Sequence, residues 1–525
     1  MIRIICALLL TVISVSSAQA LTTEALLDSL QYTSFQYFWS EANPSNGLIK
    51  DRSTSGSPCS IAATGFGLSA ICIGIDHGWV SRTVGRSRIL TTLNTFWTKP
   101  QGSGASGYIG YKGLFYHFLD MNTALRTWDS EVSTIDSALL FAGILDAKQY
   151  FSTSDPGDIQ VRQLADSLYQ RANWDFFRNF NQGILMGWKP GTGFGGFGQW
   201  IGYNEGMIIY ILALGSPTHP VPDNAWSAWT SGYDWLTYNG RSFVSFPPLF
   251  GHQYSHCWID FRFIRDTYMQ TQGLTYFENS RRATLAQRDY CVFNPGHFPA
   301  YGANLWGLTA CDDPYQGYLA HGAPPVQNDN GTIAPTAPAG SIPFAPEEAL
   351  QVLHNLYDTY RAQLWGPYGF KDAFNLTANW WDTDYLGIDQ GPVIIMIENH
   401  LNSRVWNRLK QNADVQRGLQ HAGFVLAADV VENGTFDSLD ELRLELTPNP
   451  FRGRGTFAYR IPETGHVTLV LADVAGREVA RLVDGQQSAG EHFVTLAAEA
   501  LPSGAYFSKL QFNGRAVLKR CVLVR

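Results

Sequence analysis

Three carboxylates each stand at the mouth of an apolar, helix-forming run, and that arrangement restricts the folds open to the chain. Trp128-Asp129-Ser130-Glu131-Val132-Ser133-Thr134-Ile135-Asp136 leads directly into the apolar stretch 137–150. Glu205 opens the run 206–214. Asp389 precedes Gly391-Pro392-Val393-Ile394-Ile395-Met396, where Pro392 suits a first helical turn. A carboxylate beside a buried helix is costly unless it is paired or used. A single acid of this kind reads as a cap or a partner of the helix dipole. Three of them, with aromatic loops alongside, point to one shared site.

The first twenty residues read as a secretory leader. Arg3 supplies the positive start, residues 4–15 an apolar core, and Ala18-Gln19-Ala20 a small-residue cleavage pattern. The chain is therefore expected to be secreted or held at the cell surface, with the periplasm as an alternative. No later run suggests a membrane span. A net charge of −8 disfavours nucleic acid as a partner. Trp, Tyr and Phe reach 14% of residues against 16% charged, a balance suited to stacking on uncharged rings as well as to a large core. The six cysteines beyond the leader are too dispersed for a disulfide framework, although one or two bridges fit an oxidising compartment.

Two unequal parts follow the leader (1–20). Residues 21–428 show helical periodicity, for example Leu350, Leu353 and Tyr357. Helices are predicted near 22–41, 61–79, 85–97, 131–151, 157–172, 203–214, 222–237, 255–270, 274–291, 347–362 and 390–409. The absence of a fixed repeat argues against a solenoid, so a toroid of paired helices, an (α/α)6 barrel, is expected. Its parallel inner helices would gather Asp136, Glu205 and Asp389 on one face. Residues 429–440 read as a polar linker. Residues 441–525 read as a small β-sandwich of six or seven strands, with Asn513-Gly514 as a hairpin turn.

Other motifs carry less. Gly191-Thr192-Gly193-Phe194-Gly195-Gly196 matches G-x-G-x-x-G but lacks a strand–turn–helix setting. His252 and His256 have the spacing of a zinc-protease helix, yet Gln253 stands where its glutamate belongs. Neither a metal nor a cofactor is expected. Carboxylates beside Trp128, Trp200, Tyr203, Trp380 and Trp381 suit glycoside hydrolysis, in which acids move protons while rings stack on sugars.

Nine ordered blocks carry a family resemblance. They are Phe38-Trp39, residues 46–52 (NGLIKDR), 60–68 (SIAATGFGL), 113–118 (GLFYHF), 130–136 (SEVSTID), 203–206 (YNEG), 247–250 (PPLF), 252–256 (HQYSH) and 387–392 (GIDQGP). On these blocks, 21–424 resembles the bacterial endo-β-1,2-glucanase family of glycoside hydrolases within a broader glucoamylase-like superfamily. The resemblance implies an (α/α)6 barrel that cleaves β-1,2-glucan with inversion, endo more than exo. It implies Glu205 as general acid, Asp389 as base and Asp136 as a further cleft acid. The two catalytic roles would be exchanged or dropped if Glu205 proved exposed and unpaired, because a donor near neutral pH needs burial; Glu205 is expected to be the most buried of the three. Arg52, His117, Glu131, Tyr203, His252, His256, Trp258, Trp380 and Asp384 are candidates for binding glucose units, while Lys50 and Asp51 are expected to pair with one another.

The C-terminal part resembles the Ig-like sorting domains of proteins exported by type IX secretion, on residues 447–451 (TPNPF), 474–479 (VAGREV) and 501–506 (LPSGAY). This implies contact with secretion machinery and no catalytic share. A monomer acting on a β-glucan is the leading reading. The alternatives are hydrolysis or transglycosylation of another β-glucan, a polysaccharide lyase (which would want a basic cleft) and a non-catalytic glycan-binding surface protein.

Overall fold

The computed structural model describes residues 21–427 and 442–524, apart from 475, 499–500 and 514. The leader, the linker 429–440 and Gly514 of the expected hairpin turn lie outside the described residues.

Fifteen α-helices occur among the described residues: α1 (Thr23–Ser40), α2 (Ile61–Asp76), α3 (Arg82–Thr98), α4 (Thr134–Tyr150), α5 (Pro156–Arg171), α6 (Met207–Leu214), α7 (Asn224–Thr230), α8 (Tyr254–Trp258), α9 (Thr267–Gln272), α10 (Tyr276–Phe293), α11 (Thr336–Gly340), α12 (Pro346–Leu364), α13 (Gly387–Asn402), α14 (Arg404–Leu409) and α15 (Ala413–His421). Side-chain caps set many of the starts. Ser60, Ser133 and Thr275 accept from the N–H groups of Ala63, Asp136 and Glu278, while Asp155 caps α5 with Pro156 in its first turn.

Burial alternates along this series. α2, α4, α6, α8, α11 and α13 are buried almost all round. α1, α3, α5, α10 and α12 bury mainly one face, as an outer layer does. The result is an α/α barrel with one continuous hydrophobic core.

Some expected helices differ. The run 255–270 is divided: after α8 the chain extends, Ile264–Arg265 pairs with Val425–Leu426, and Asp266 caps α9. The run 222–237 stops at Thr230 because Trp235–Tyr238 and Arg241–Val244 form a hairpin. Its turn, Asn239-Gly240, puts both residues at positive φ. The run 390–409 breaks at Ser403, which also has positive φ. α15, capped by Asn412, is an unexpected addition.

The C-terminal part contains seven strands: β1 (Arg443–Arg452), β2 (Arg454–Ile461), β3 (Gly465–Asp473), β4 (Glu478–Gln487), β5 (Gly490–Ala497), β6 (Gly504–Phe512) and β7 (Arg515–Leu523). Hydrogen bonding follows the order 4-3-6-7-1-2-5. β1 pairs with β2 along its first half, then shifts register and meets β7 in parallel at Phe451–Leu523. Leu444, Phe457, Leu469, Leu471, Leu510 and Phe512 form a core separate from that of the helices. β4 was not foreseen, because its polar composition hides the alternation. All six described cysteines are free and buried, so neither of the one or two bridges the composition allows forms among them.

Helices α2 and α4 approach backbone to backbone, as α6 and α15 also do at Gly418 and Ile211. A Cβ on Gly65 would lie 2.4 Å from the Leu139 carbonyl oxygen, and one on Gly143 would lie 2.0 Å from that of Gly65. These contacts are with backbone, which cannot rotate away. Gly143→Ala should therefore destabilise the protein by at least about 1–3 kcal/mol in thermal melts. Gly485→Ala, which faces open space, should leave the melting curve nearly unchanged.

Candidate active site

The N-terminal ends of the buried helices meet at one rim. Ile61 at the start of α2 donates its N–H to the His117 carbonyl. Asp136 is the third residue of α4, and Glu205 lies two residues ahead of α6. Ser255 on α8 donates its hydroxyl to the Glu205 carbonyl at 3.1 Å. Thr336 at the start of α11 does the same to the Asp389 carbonyl at 2.9 Å, and Asp389 is the third residue of α13. The three acids, 253 residues apart at the extremes (389 minus 136), are neighbours: Asp136 acts on Glu205, and Glu205 and Asp389 both act on Tyr254.

Glu205 is not the most buried of them. As a residue it is half-buried, whereas Asp136 and Asp389 are each only 4% exposed. The cause is position: Glu205 stands on the loop entering α6, the others inside a first turn. Its Oε2, however, is buried without a hydrogen-bond partner. Burial, reinforced by the charge of Asp136, pushes its carboxyl up to about 7. Trp200 closes one side, with its ring against Gly206 and its Nε1 donating to Thr134 Oγ1.

A histidine organises the opposite wall. His117 Nδ1 lies 3.0 Å from Glu131 Oε1, and its Nε2 lies 3.5 Å from Asp136 Oδ1. Burial opposes its charge, but Asp136, Glu131 and Asp51 outweigh it and raise the imidazolium to about 9. Burial likewise acts to raise Glu131, yet its bond to His117 brings that carboxyl below its ordinary value. Ser133 Oγ donates to Asp136 Oδ2.

Around Asp389 the site is strongly acidic. Arg52 reaches Asp312 at 2.8 Å, Asp51 at 3.5 Å and Asp384 at 3.6 Å. Asp384 also accepts from the Ser53 and Thr54 hydroxyls. Burial first, then Asp312 and Asp51, act to raise Asp389, against the lowering effects of Asp372 and Arg52. Tyr254 and Tyr318 feel the same carboxylates. Burial and then Asp389 push both phenols upward, and Glu205 also acts on Tyr254. Tyr318 shows 47% of its surface to solvent, yet Asp389, Asp372 and Asp51 all act on its phenol.

Several expected binding residues lie elsewhere. Trp258 is fully buried, stacked on Phe66 and donating to Ser69, and offers no surface to a sugar. Tyr203, His252 and His256 converge on the Ser280 hydroxyl at 3.2, 3.4 and 3.2 Å, below the cleft floor. Burial lowers both histidines to about 3, which keeps them neutral. Trp380 is half-buried against Cys311, Ala334 and Ala373. Lys50 pairs with Glu41 at 2.6 Å rather than with Asp51. Asp51, Tyr254, Asp312, Tyr318 and Asp372 stand around Asp389 without having been among the expected site residues. Tyr254 and Asp51 sat inside quoted blocks, whereas Asp312, Tyr318 and Asp372 carry no local signal.

Two groups among the described residues bring ligand atoms within 4.8 Å of one another: His117, Glu131 and Asp136, and Asp312, Asp372 and Asp382. In the first, the His117 cation already fills the space between the carboxylates.

His117 also sets a pH dependence of stability. Its folded value stands above the ordinary 6.5, so its contribution is complete below about pH 6.5 and is lost as pH rises through about 9. Stability should fall by roughly 1–3 kcal/mol over that window, and His117→Gln should flatten the decline in melting temperature.

Known proteins place this geometry in a family. The family model described as "Putative glucoamylase" matches residues 198–413. A crystal structure from Bacteroides uniformis, described in the same words, shares 36% identity with a TM-score of 0.72, over 77% of this chain and 98% of that one. An endo-β-1,2-glucanase from Chitinophaga pinensis, in complex with sophorotriose and glucose, shares 29% identity with a TM-score of 0.71, over 77% and 99%. An exo β-1,2-glucooligosaccharide sophorohydrolase (non-reducing end) from Parabacteroides distasonis is 32% identical over 433 residues, 76% of this chain. The chain spans 58% of that relative's length. With 36% identity across nearly all of one relative, and with paired acids at the mouth of its α/α barrel, this chain belongs to the glucoamylase-like family of glycoside hydrolases.

Proposed function

We propose that this protein hydrolyses β-1,2-linked glucan by an inverting mechanism, cleaving within the chain. The reading is supported by the proximity of Asp136, Glu205 and Asp389 at the starts of buried helices and by the buried, unpartnered Oε2 of Glu205, whose carboxyl burial raises to about 7. At that value it holds a proton in neutral solution and can still release it. Glu205 protonates the glycosidic oxygen as the bond to the anomeric carbon breaks. Asp389, directly or through a substrate hydroxyl, takes the proton of the attacking water. Inverting pairs are commonly separated by roughly 6.5–9.5 Å, and a relay accommodates a longer gap. Asp136, held by His117, keeps negative charge near Glu205 and favours the protonated donor.

Substrate and mode rest on relatives. Both functionally named ones act on β-1,2-glucans, and similarity spans nearly the whole endo-acting chain but 58% of the exo-acting one. Six buried helices alternating with outer ones support the six-pair barrel. Export rests on the charge and apolar pattern of the leader, sorting by the C-terminal strands rests on the sequence resemblance, and both belong to the same proposal.

Linear β-1,2-glucan incubated with the purified protein should yield short oligosaccharides of mixed size. Glu205→Gln should reduce the rate by roughly 10²–10⁴. Release of a single disaccharide would replace internal by terminal cleavage. No product from this glucan, with product from another, would reject the substrate.

A further inference from the structure

Asp372 belongs to no quoted motif, yet it lies against the candidate base. It is 4% exposed and lines a small cavity together with Asp389, Thr336 and Gln390. Its Oδ2 accepts from the Asp312 N–H at 2.7 Å, and its own N–H donates to the Asp384 carbonyl at 3.0 Å. These bonds fix the carboxyl so that Oδ1 is left buried and without a partner, as is Oδ2 of Asp389. The two carboxyls line that one cavity, and each acts on the titration of the other. Two ionised carboxylates cannot share such a place, and one hydrogen between them resolves both orphans.

We propose that Asp372 is a positioning residue that keeps its proton at neutral pH and donates it in a hydrogen bond to Asp389, holding the base ionised and aimed at the cleft. The inference rests on the reading of Asp389 as base. Charged and titratable groups facing the pair agree with it. Asp312 and Asp382 crowd Asp372 with further negative charge, and Cys311 and Tyr318 add none while protonated. Burial and these carboxylates push Asp372 well above the ordinary range. Asp51 acts on Asp389 in the same sense, while Arg52, the cation acting on Asp389, is engaged with Asp312 at 2.8 Å. That guanidinium also competes with any metal ion among Asp312, Asp372 and Asp382, which favours a proton as the neutralising species.

The test is the pH dependence of kcat/KM on linear β-1,2-glucan for wild type, Asp372→Asn and Asp372→Ala. An inactive wild type would remove the underlying reading of the site and is distinct from the outcomes below. An asparagine amide can donate the same bond, so Asp372→Asn should keep the acid limb at its wild-type position while kcat falls by up to about tenfold. Asp372→Ala removes the donor and should move the acid limb up by about one pH unit. If Asp372 were ionised, Asp372→Asn would delete a negative neighbour and move the limb down. That result overturns the proposal even when the alanine variant does not fold. Loss of wild-type activity in EDTA with recovery in Ca2+ would overturn it too, by showing a cation in place of the proton.

Discussion

Six buried helices bring their N-terminal ends to one rim of the barrel, and every chemical property of the cleft depends on that common orientation. Each end carries N–H groups without intrahelical partners and the positive end of a dipole. Residues placed there are drawn from distant segments: Ser60 and Asp51 beside α2, Asp136 on α4, Glu205 before α6, Tyr254 on α8, Thr336 on α11 and Asp389 on α13. Close backbone packing makes the gathering possible, and Gly65 and Gly143 provide it between α2 and α4.

Helix ends favour ionised carboxylates, whereas a proton donor must stay neutral. The structure meets both demands by placement. Asp136 sits inside a first turn, with its own N–H on Ser133 and with His117 beside it. Glu205 stands outside the helix, where Oε2 loses water without gaining a partner. Desolvation then governs its titration, and the nearby Asp136 acts in the same direction. On the other side, burial acts on a whole group of carboxyls around Asp389, and Arg52 offsets only part of their charge.

The helical barrel and the places of Asp136, Glu205 and Asp389 at helix starts were legible because they rest on local patterns: apolar periodicity, serine caps and a carboxylate just ahead of an apolar run. The hairpin at Asn239-Gly240 was legible in principle, but the aromatic run around it resembled a helix. Trp258 and the His252/His256 pair were misplaced for another reason. A short segment such as α8 is buried on all sides, and composition alone does not separate a cleft wall from a core. Asp312 and Asp372 reach the site through loop pairings 60 residues apart. Such long-range contacts leave no trace in a single sequence.

The central claim is that burial keeps Glu205 protonated near neutral pH. Its most direct test is a carboxyl titration of Glu205 in the folded protein, by infrared difference or carbon-13 NMR spectroscopy, with Glu205→Gln identifying the signal. An apparent value of about 7 is expected, falling when Asp136 is replaced by asparagine. A value at or below the ordinary 4.5 of a glutamate would contradict it, because the group would then be ionised when it has to donate.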